Sequence, residues 1–269
     1  MKFLKDLIHK IRKGFDNTGY TCDGCGKEVF HYPIQRLCED CEESLQRNDG
    51  NTCEKCGRKT VAEGVCLTCK NVLPTFTRGF SPFVYRAETA GFINRVKNGK
   101  PRLACYFGER MAEKFIAVSK YLPALGEGEK LLILPVPMTE ARKRERGYNQ
   151  AERLAEVVCD QLNEAGIAAE MVEEVLQKTR ETALQKHMAS KSRRENVAGA
   201  YHVHKRTACR DRRILLVDDI MTTGATTSEC ASRLFGAGAK EVYVLVAGGL
   251  PERKMAERGE EIPDQETSV

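Results

Sequence analysis

The chain has 269 residues, 41% of them hydrophobic and 30% charged, with a formal net charge of +5. That balance excludes a disordered polyelectrolyte and a histone-like polycation, and the length suits one large domain or one core plus an accessory module. Twelve cysteines are spread unevenly: eight lie between Cys22 and Cys69, while Cys105, Cys159, Cys209 and Cys230 are scattered.

Residues 1–18 place Phe3, Leu4, Leu7, Ile8, Ile11 and Phe15 at helical spacing among Lys2, Lys5, Lys10, Arg12 and Lys13. The pattern predicts a basic amphipathic helix, and docking of its apolar stripe on a neighbouring module is preferred over contact with an anionic membrane. A secretory signal needs a continuous apolar block and a small-residue cleavage site, and this stretch has neither. No later run reaches the roughly 18 apolar residues of a spanning helix; residues 131–138 and 242–250 come nearest. The expected location is therefore the cytoplasm, where thiols stay reduced and clustered cysteines serve as metal ligands more often than as bridges.

Residues 19–73 read as a cysteine module. Its cysteines form four CxxC pairs, Cys22/Cys25, Cys38/Cys41, Cys53/Cys56 and Cys66/Cys69, separated by 12, 11 and 9 residues. A CxxC turn brings two thiolates to adjacent corners of a tetrahedron, and two such turns close a four-thiolate zinc site. Gly24, Gly26 and Gly57 beside the pairs suit tight knuckle turns. Two structural zinc ions are the natural count, each worth on the order of 10 kcal/mol of folding free energy. Sequential closure (first pair with second, third with fourth) is preferred over interleaved closure, because each gap is long enough for a short hairpin. The four scattered cysteines read as small buried hydrophobes.

From residue 74 to 250 strands and helices alternate. Residues 79–85 read as a strand, with Pro82 arguing for an edge or a bulge. Residues 103–122 carry helical periodicity, and 131–136 form a short apolar run ended by prolines. Residues 149–164 are helical, with Ala151, Leu154, Ala155, Val158 and Leu162 on one face. Residues 214–217 and 242–247 read as buried strands around a helix over 225–235. The alternation predicts an α/β domain with a mainly parallel sheet flanked by helices. Residues 251–269 are charged and aperiodic and read as a loose tail.

The most informative stretch runs from Ile214 to Thr226, ILLVDDIMTTGAT. A buried strand ends in Asp218 and Asp219, at the edge where open α/β sheets bind ligands. A small hydroxyl-rich loop, Met221, Thr222, Thr223 and Gly224, then leads into a helix at Ala225 and Thr226. Helix N-termini offer free N–H groups and a positive dipole end, which suits a phosphate. The acids suit neutral hydroxyls or a metal. A ligand with a phosphate and a vicinal diol, a ribose 5-phosphate, fits both halves. A Walker B strand of an ATPase also ends in acids, but the chain has no GxxxxGK[ST] run to accompany it.

These thirteen residues resemble the phosphoribosyl pyrophosphate (PRPP) motif of type I phosphoribosyltransferases. Together with the multi-cysteine module they are similar to the ComF (ComFC-like) family of competence-associated proteins. Further family-like features are Lys97 in RVKNGK, Pro135-Val136-Pro137, the stretch RKRERGYNQ from Arg142, and Arg180, Thr182, Gln185, Arg194 and Asn196 between Lys178 and Ala200. Tyr148 stands where many such proteins have Phe. The resemblance implies a type I phosphoribosyltransferase fold with a double zinc-ribbon module and PRPP bound with magnesium. It implies that Asp218 and Asp219 hold the ribose hydroxyls and that Met221 to Thr226 wrap the 5-phosphate. Pro135, Val136 and Pro137 would form the diphosphate loop, with Arg144, Arg146 and Asn149 near the leaving group. It also implies a role in DNA uptake or repair, alongside other competence or repair proteins.

A second reading is a non-catalytic single-stranded nucleic-acid binder that uses the same fold as scaffold or sensor. Lys205, Arg206, Arg210, Arg212 and Arg213 form a basic cluster just before the motif strand. With no Trp and only 7% aromatic residues, such binding would be mostly electrostatic and salt-sensitive. His202 and His204 alternate on a strand-like pattern, YHVHK, and are expected to pack or face solvent.

Overall fold

The computed structural model describes residues 21–31, 35–97, 102–172, 174–182 and 195–252. The helix expected over 1–18, Gln185, Arg194 and the tail beyond Glu252 lie outside the described residues. The chain divides into two compact units between Leu45 and Gln46, so the eight cysteines fall four to each unit.

In the first unit a Thr21↔Glu28 bridge closes a small hairpin around Cys22 and Cys25. Cys22 N–H donates to Lys27 O at 2.7 Å, and Gly26 N–H to Cys22 O at 2.9 Å. Cys38 then caps a one-turn helix, α1 (Glu39–Glu43), which carries Cys41 on its buried side.

The second unit begins with the same device. A Thr52↔Lys59 bridge closes a hairpin around Cys53 and Cys56, and Cys66 caps α2 (Leu67–Asn71), which carries Cys69. The chain then enters β1 (Arg78–Phe80) and β2 (Phe83–Val84), interrupted at Ser81 and Pro82, where the sequence expects one strand over 79–85 with an edge or a bulge at Pro82. Next come α3 (Ala87–Lys97), α4 (Arg102–Ser119), β3 (Leu131–Pro135), α5 (Glu140–Arg146) and α6 (Gln150–Glu164). β4 (Ala169–Met171), the hairpin β5 (Leu176–Lys178) and β6 (Tyr201–Val203), β7 (Arg213–Met221), α7 (Ala225–Gly236) and β8 (Glu241–Gly249) complete it.

The main sheet runs β1-β8-β7-β3-β4, with β2 also paired to β8, and every pairing in it is parallel. β5 and β6 form a separate antiparallel ribbon. Parallel strands must be covered on both faces, which is why β3, β7 and β8 read as unbroken apolar runs. Side chains alternate between the faces. Leu132, Leu134, Ile214, Leu216, Val242, Val244 and Val246 share one core cluster with Ala231 and Leu234 of α7. All four cysteines from Cys53 to Cys69, together with Phe76, belong to that same cluster. The predicted apolar face of α6 is fully buried, from Ala151 to Leu162.

One element differs from its expected bounds in a way that matters. β7 does not stop at Val217 but continues through both acids to Met221. β8 keeps pairing with it, Asp218↔Val246 out to Met221↔Gly249, whereas β3 stops at Pro135↔Val217. The acids are thus held in a rigid strand, and the early end of β3 uncovers one flank of it.

Candidate functional site at the carboxyl edge of the sheet

Asp218 and Asp219 extend from that uncovered stretch. Asp219 N–H donates to Asp218 Oδ1 at 2.9 Å and Ile220 N–H to Asp219 Oδ1 at 2.8 Å. Asp219 is buried and pairs with Lys97, whose Nζ lies 2.9 Å from Oδ2. Burial pulls the Lys97 ammonium down, but the Asp219 carboxylate more than offsets this and holds it above the ordinary lysine range. Burial pushes the Asp218 carboxyl well above its usual range, and the neighbouring Asp219 charge pushes the same way. A group in that position gains from hydroxyl donors or a hard cation, and an oxygen-only donor set suits magnesium.

Two further side chains make this geometry. Gln150 Nε2 donates to Asp219 Oδ2 at 3.4 Å, and Arg146 Nη1 donates to Gln150 Oε1 at 3.3 Å. Tyr148 donates its hydroxyl to Val96 O, tying the end of α3 beside Lys97. The hydroxyl that Phe would lack therefore has a partner. Sequence reasoning named Lys97, Arg146 and Tyr148 but missed Gln150; nothing in a lone glutamine one residue past Asn149 signals contact with an acid 69 positions away.

The loop after the acids turns at Gly224, whose φ of +78° favours glycine, and α7 starts at the next residue. Ala225 N–H donates to Thr223 Oγ1 at 3.4 Å and Thr227 Oγ1 to Gly224 O at 3.2 Å. Thr222, Thr223 and Thr226 are half-buried, whereas Met221 and Ala225 are buried. The β5–β6 ribbon packs across α7, and its Lys178 Nζ donates to Thr182 Oγ1 at 3.0 Å.

Pro135, Val136 and Pro137 leave the sheet next to the acids, since Val136 N–H donates to Val217 O at 2.8 Å. Asn149 is buried: its Oδ1 caps α6 through Ala151 N–H at 3.0 Å, and its Nδ2 donates to Val136 O at 3.2 Å. It thereby fastens the proline loop to α6. Arg144 is exposed on α5. Of the basic cluster, Lys205, Arg206 and Arg210 are exposed, and Arg212 and Arg213, where β7 begins, are drawn inward. Arg213 is buried between Glu129 at 2.7 Å and Glu241 at 2.6 Å, Arg212 pairs with Glu170 at 2.6 Å, and Lys205 with Glu174 at 3.4 Å. His202 and His204 face solvent. Cys209 and Cys230 are buried as expected, whereas Cys105 and Cys159 are half-buried.

The cysteines close sequentially: Cys22, Cys25, Cys38 and Cys41 form one set, and Cys53, Cys56, Cys66 and Cys69 the other. In each set the four Sγ atoms lie within 4.8 Å of one another, so each could hold a zinc ion. Backbone N–H groups already point at the sulfurs. Gly24, Cys25 and Cys38 donate to Cys22 Sγ at 3.3, 3.5 and 3.2 Å, and Cys56 and Cys66 donate to Cys53 Sγ at 3.5 and 3.3 Å. Burial pushes the Cys22 thiol up, but these donors outweigh it and bring it down to about 7. The buried Arg58 donates from Nε to Cys56 Sγ at 3.1 Å.

A mainly parallel sheet flanked by helices, with acids on its central strand and a proline loop beside them, is a type I phosphoribosyltransferase-like fold. Here it stands in a chain with two four-cysteine sets. No protein-family model matches the chain. Competence protein ComFC of Bacillus subtilis (strain 168) is 25% identical over 240 residues, 86% of this chain and 91% of that protein. DNA utilization protein YhgH of Escherichia coli O157:H7 is 24% identical over 209 residues, 77% of this chain and 88% of that one. Competence protein F of Haemophilus influenzae is 31% identical over 113 residues, 42% of this chain and 47% of that protein, so that match spans about half its length. Among solved structures, the glutamine PRPP amidotransferase of B. subtilis is 22% identical, with 52% of this chain and 25% of that one covered at a TM-score of 0.29. Over 77–86% of its length the chain is thus similar to competence and DNA utilization proteins.

Proposed function

We propose that this chain binds PRPP with magnesium and acts as a phosphoribosyltransferase-like protein in DNA uptake or DNA repair. The observation that carries this reading is the placement of Asp218 and Asp219 where β3 ends beside β7, a few residues before α7 starts at Ala225. In it the two carboxylates accept hydrogen bonds from the ribose hydroxyls, with Lys97 compensating the charge of Asp219. Residues 221–226 offer N–H and hydroxyl donors to the 5-phosphate. Departure of pyrophosphate builds positive charge at the anomeric carbon and negative charge on the leaving group. Arg144 and Arg146 lie on the helix after the proline loop and would meet the latter; a single well-placed donor there is worth about 3 kcal/mol. Magnesium, when bound, supplies further charge neutralisation at the diphosphate. Each four-cysteine set holds one structural zinc, with all four positions filled by protein and none left for catalysis. Eight thiols kept as ligands favour a reducing compartment such as the cytoplasm.

The test is calorimetric titration with magnesium–PRPP. Wild type is expected to bind, and the double change Asp218→Asn with Asp219→Asn to abolish binding; unaltered binding in that variant sinks the reading. The names of the relatives, a DNA utilization protein and two competence proteins, favour a second role in handling DNA, for which single strands are the form to test. That role predicts oligonucleotide retardation that fades steeply with salt, and no retardation at low ionic strength counts against it.

A further inference from the structure

Arg58 is buried, and its guanidinium serves three groups at once. Nε donates to Cys56 Sγ at 3.1 Å, Nη1 to Thr68 Oγ1 at 3.4 Å, and Nη2 to the carbonyl oxygen of Thr222 at 2.9 Å. Two of these partners belong to the second cysteine set and its helix; the third lies in the loop that follows the acids. A buried guanidinium needs compensating negative charge, and the four thiolates of a zinc-filled set provide it. The loop carbonyl gains a charge-assisted donor at the same time.

We infer that Arg58 is a positioning residue for the 221–226 loop, holding the Thr222 carbonyl at a place set by the second cysteine set. The peptide bond gives this a direct consequence. In a trans peptide the C=O and the following N–H point in opposite directions. With the Thr222 carbonyl turned toward Arg58, the Thr223 N–H turns away from it, as a loop that presents N–H donors to a phosphate requires. The hairpin carrying Arg58 is itself seated without play. A Cβ at Gly57 would come 2.3 Å from the Gly79 carbonyl oxygen, and Gly79 N–H donates to Lys55 O at 2.8 Å. The anchor is thus fixed to β1 while the fork reaches the loop. The inference rests on the PRPP reading for its ligand, but not for the mechanical link.

The test uses the full chain, Arg58→Lys and Arg58→Gln, with two readouts: magnesium–PRPP affinity by calorimetry and hydrogen exchange across residues 221–226. Both variants are expected to keep two zinc ions, to bind PRPP roughly tenfold more weakly, the scale of one lost hydrogen bond to a charged group, and to exchange faster in the loop. Unchanged affinity and exchange in Arg58→Gln overturns the inference. Full affinity in Arg58→Lys while loop exchange rises overturns it too, because affinity would then not depend on where the loop is held. If wild type binds no PRPP, the functional reading fails alone, and loop exchange still decides the role of Arg58. Should Arg58→Gln lose the second ion, wild type decides, with a chelator and ion counts by native mass spectrometry. Loop exchange must then rise with loss of the second ion and not of the first; equal exchange in both states overturns the link.

Discussion

Cys22, Cys25, Gly26, Lys27, Cys38, Asp40 and Cys41 have counterparts, residue for residue, in Cys53, Cys56, Gly57, Arg58, Cys66, Thr68 and Cys69. Both sets are a bridged hairpin followed by a one-turn helix. What differs is the surroundings. In the first set Cys25 is exposed and Cys38 intermediate; in the second all four cysteines are buried at 1–3% exposure and belong to the sheet's core. The fifth residue after the leading cysteine makes the contrast sharpest. Lys27 meets Asp40 in solvent, with both side chains more than 60% exposed, whereas Arg58 is 5% exposed and reaches Thr222. One local motif therefore leaves two of its cysteines incompletely buried in one unit and serves as a core component in the other.

The largest test of that contrast is loss of a ligand. Cys53→Ser is expected to cost several kcal/mol and to unfold the sheet unit at temperatures where wild type is folded, since zinc sites of this kind carry on the order of 10 kcal/mol. Cys25→Ser should lose one ion as well, yet leave the main thermal transition in place. Calorimetry with zinc counts on both variants checks this. Equal loss of the main transition in the two would mean that the sheet depends on both sets alike.

Next in size is a methyl group. At Gly57, φ is +69° and the nearest atom to a new Cβ is the Gly79 carbonyl oxygen at 2.3 Å; at Gly26, φ is +81° with nothing within 4 Å. Gly26→Ala should cost about 1–2 kcal/mol from the left-handed backbone alone. Gly57→Ala should cost about twice that or more, because backbone must also move. Chemical denaturation of both variants reads the difference, and similar costs would show that the hairpin is not pressed against β1. Chelator challenge should separate the sets by rate: the ion among the more exposed sulfurs leaves first, so release of two ions should be biphasic. A single phase would erase the distinction.

The sequence carried a good part of this. The CxxC spacing specified which cysteines act together, and the apolar runs marked the strands whose ends hold the site. Asp218, Asp219 and the loop to Thr226 were legible because the motif is contiguous. The rest was not, for one physical reason: it depends on pairs distant in the chain. Arg58 and Thr222 are 164 positions apart, Gln150 and Asp219 69, and Arg213 and Glu129 84. A basic run looks alike in sequence whether it faces solvent or, as with Arg213, is closed between two glutamates. The extension of β7 through its acids was hidden similarly, because it follows from β8 continuing alongside through Gly248 and Gly249.

The smallest expected effect is the one that isolates the comparison most cleanly. Lys27→Ala removes the ion pair with Asp40, at 2.5 Å, but both groups are solvated, so the attraction is screened and offset by the entropy of ordering two side chains. Thermal midpoint, zinc retention and exchange in the loop after Asp219 should all match wild type. Arg58, at the matching position, is held by a sulfur, a hydroxyl and a carbonyl in a site closed to water, where each unmade bond keeps its full cost. A measurable loss in Lys27→Ala would mean that the first set, too, reaches beyond itself.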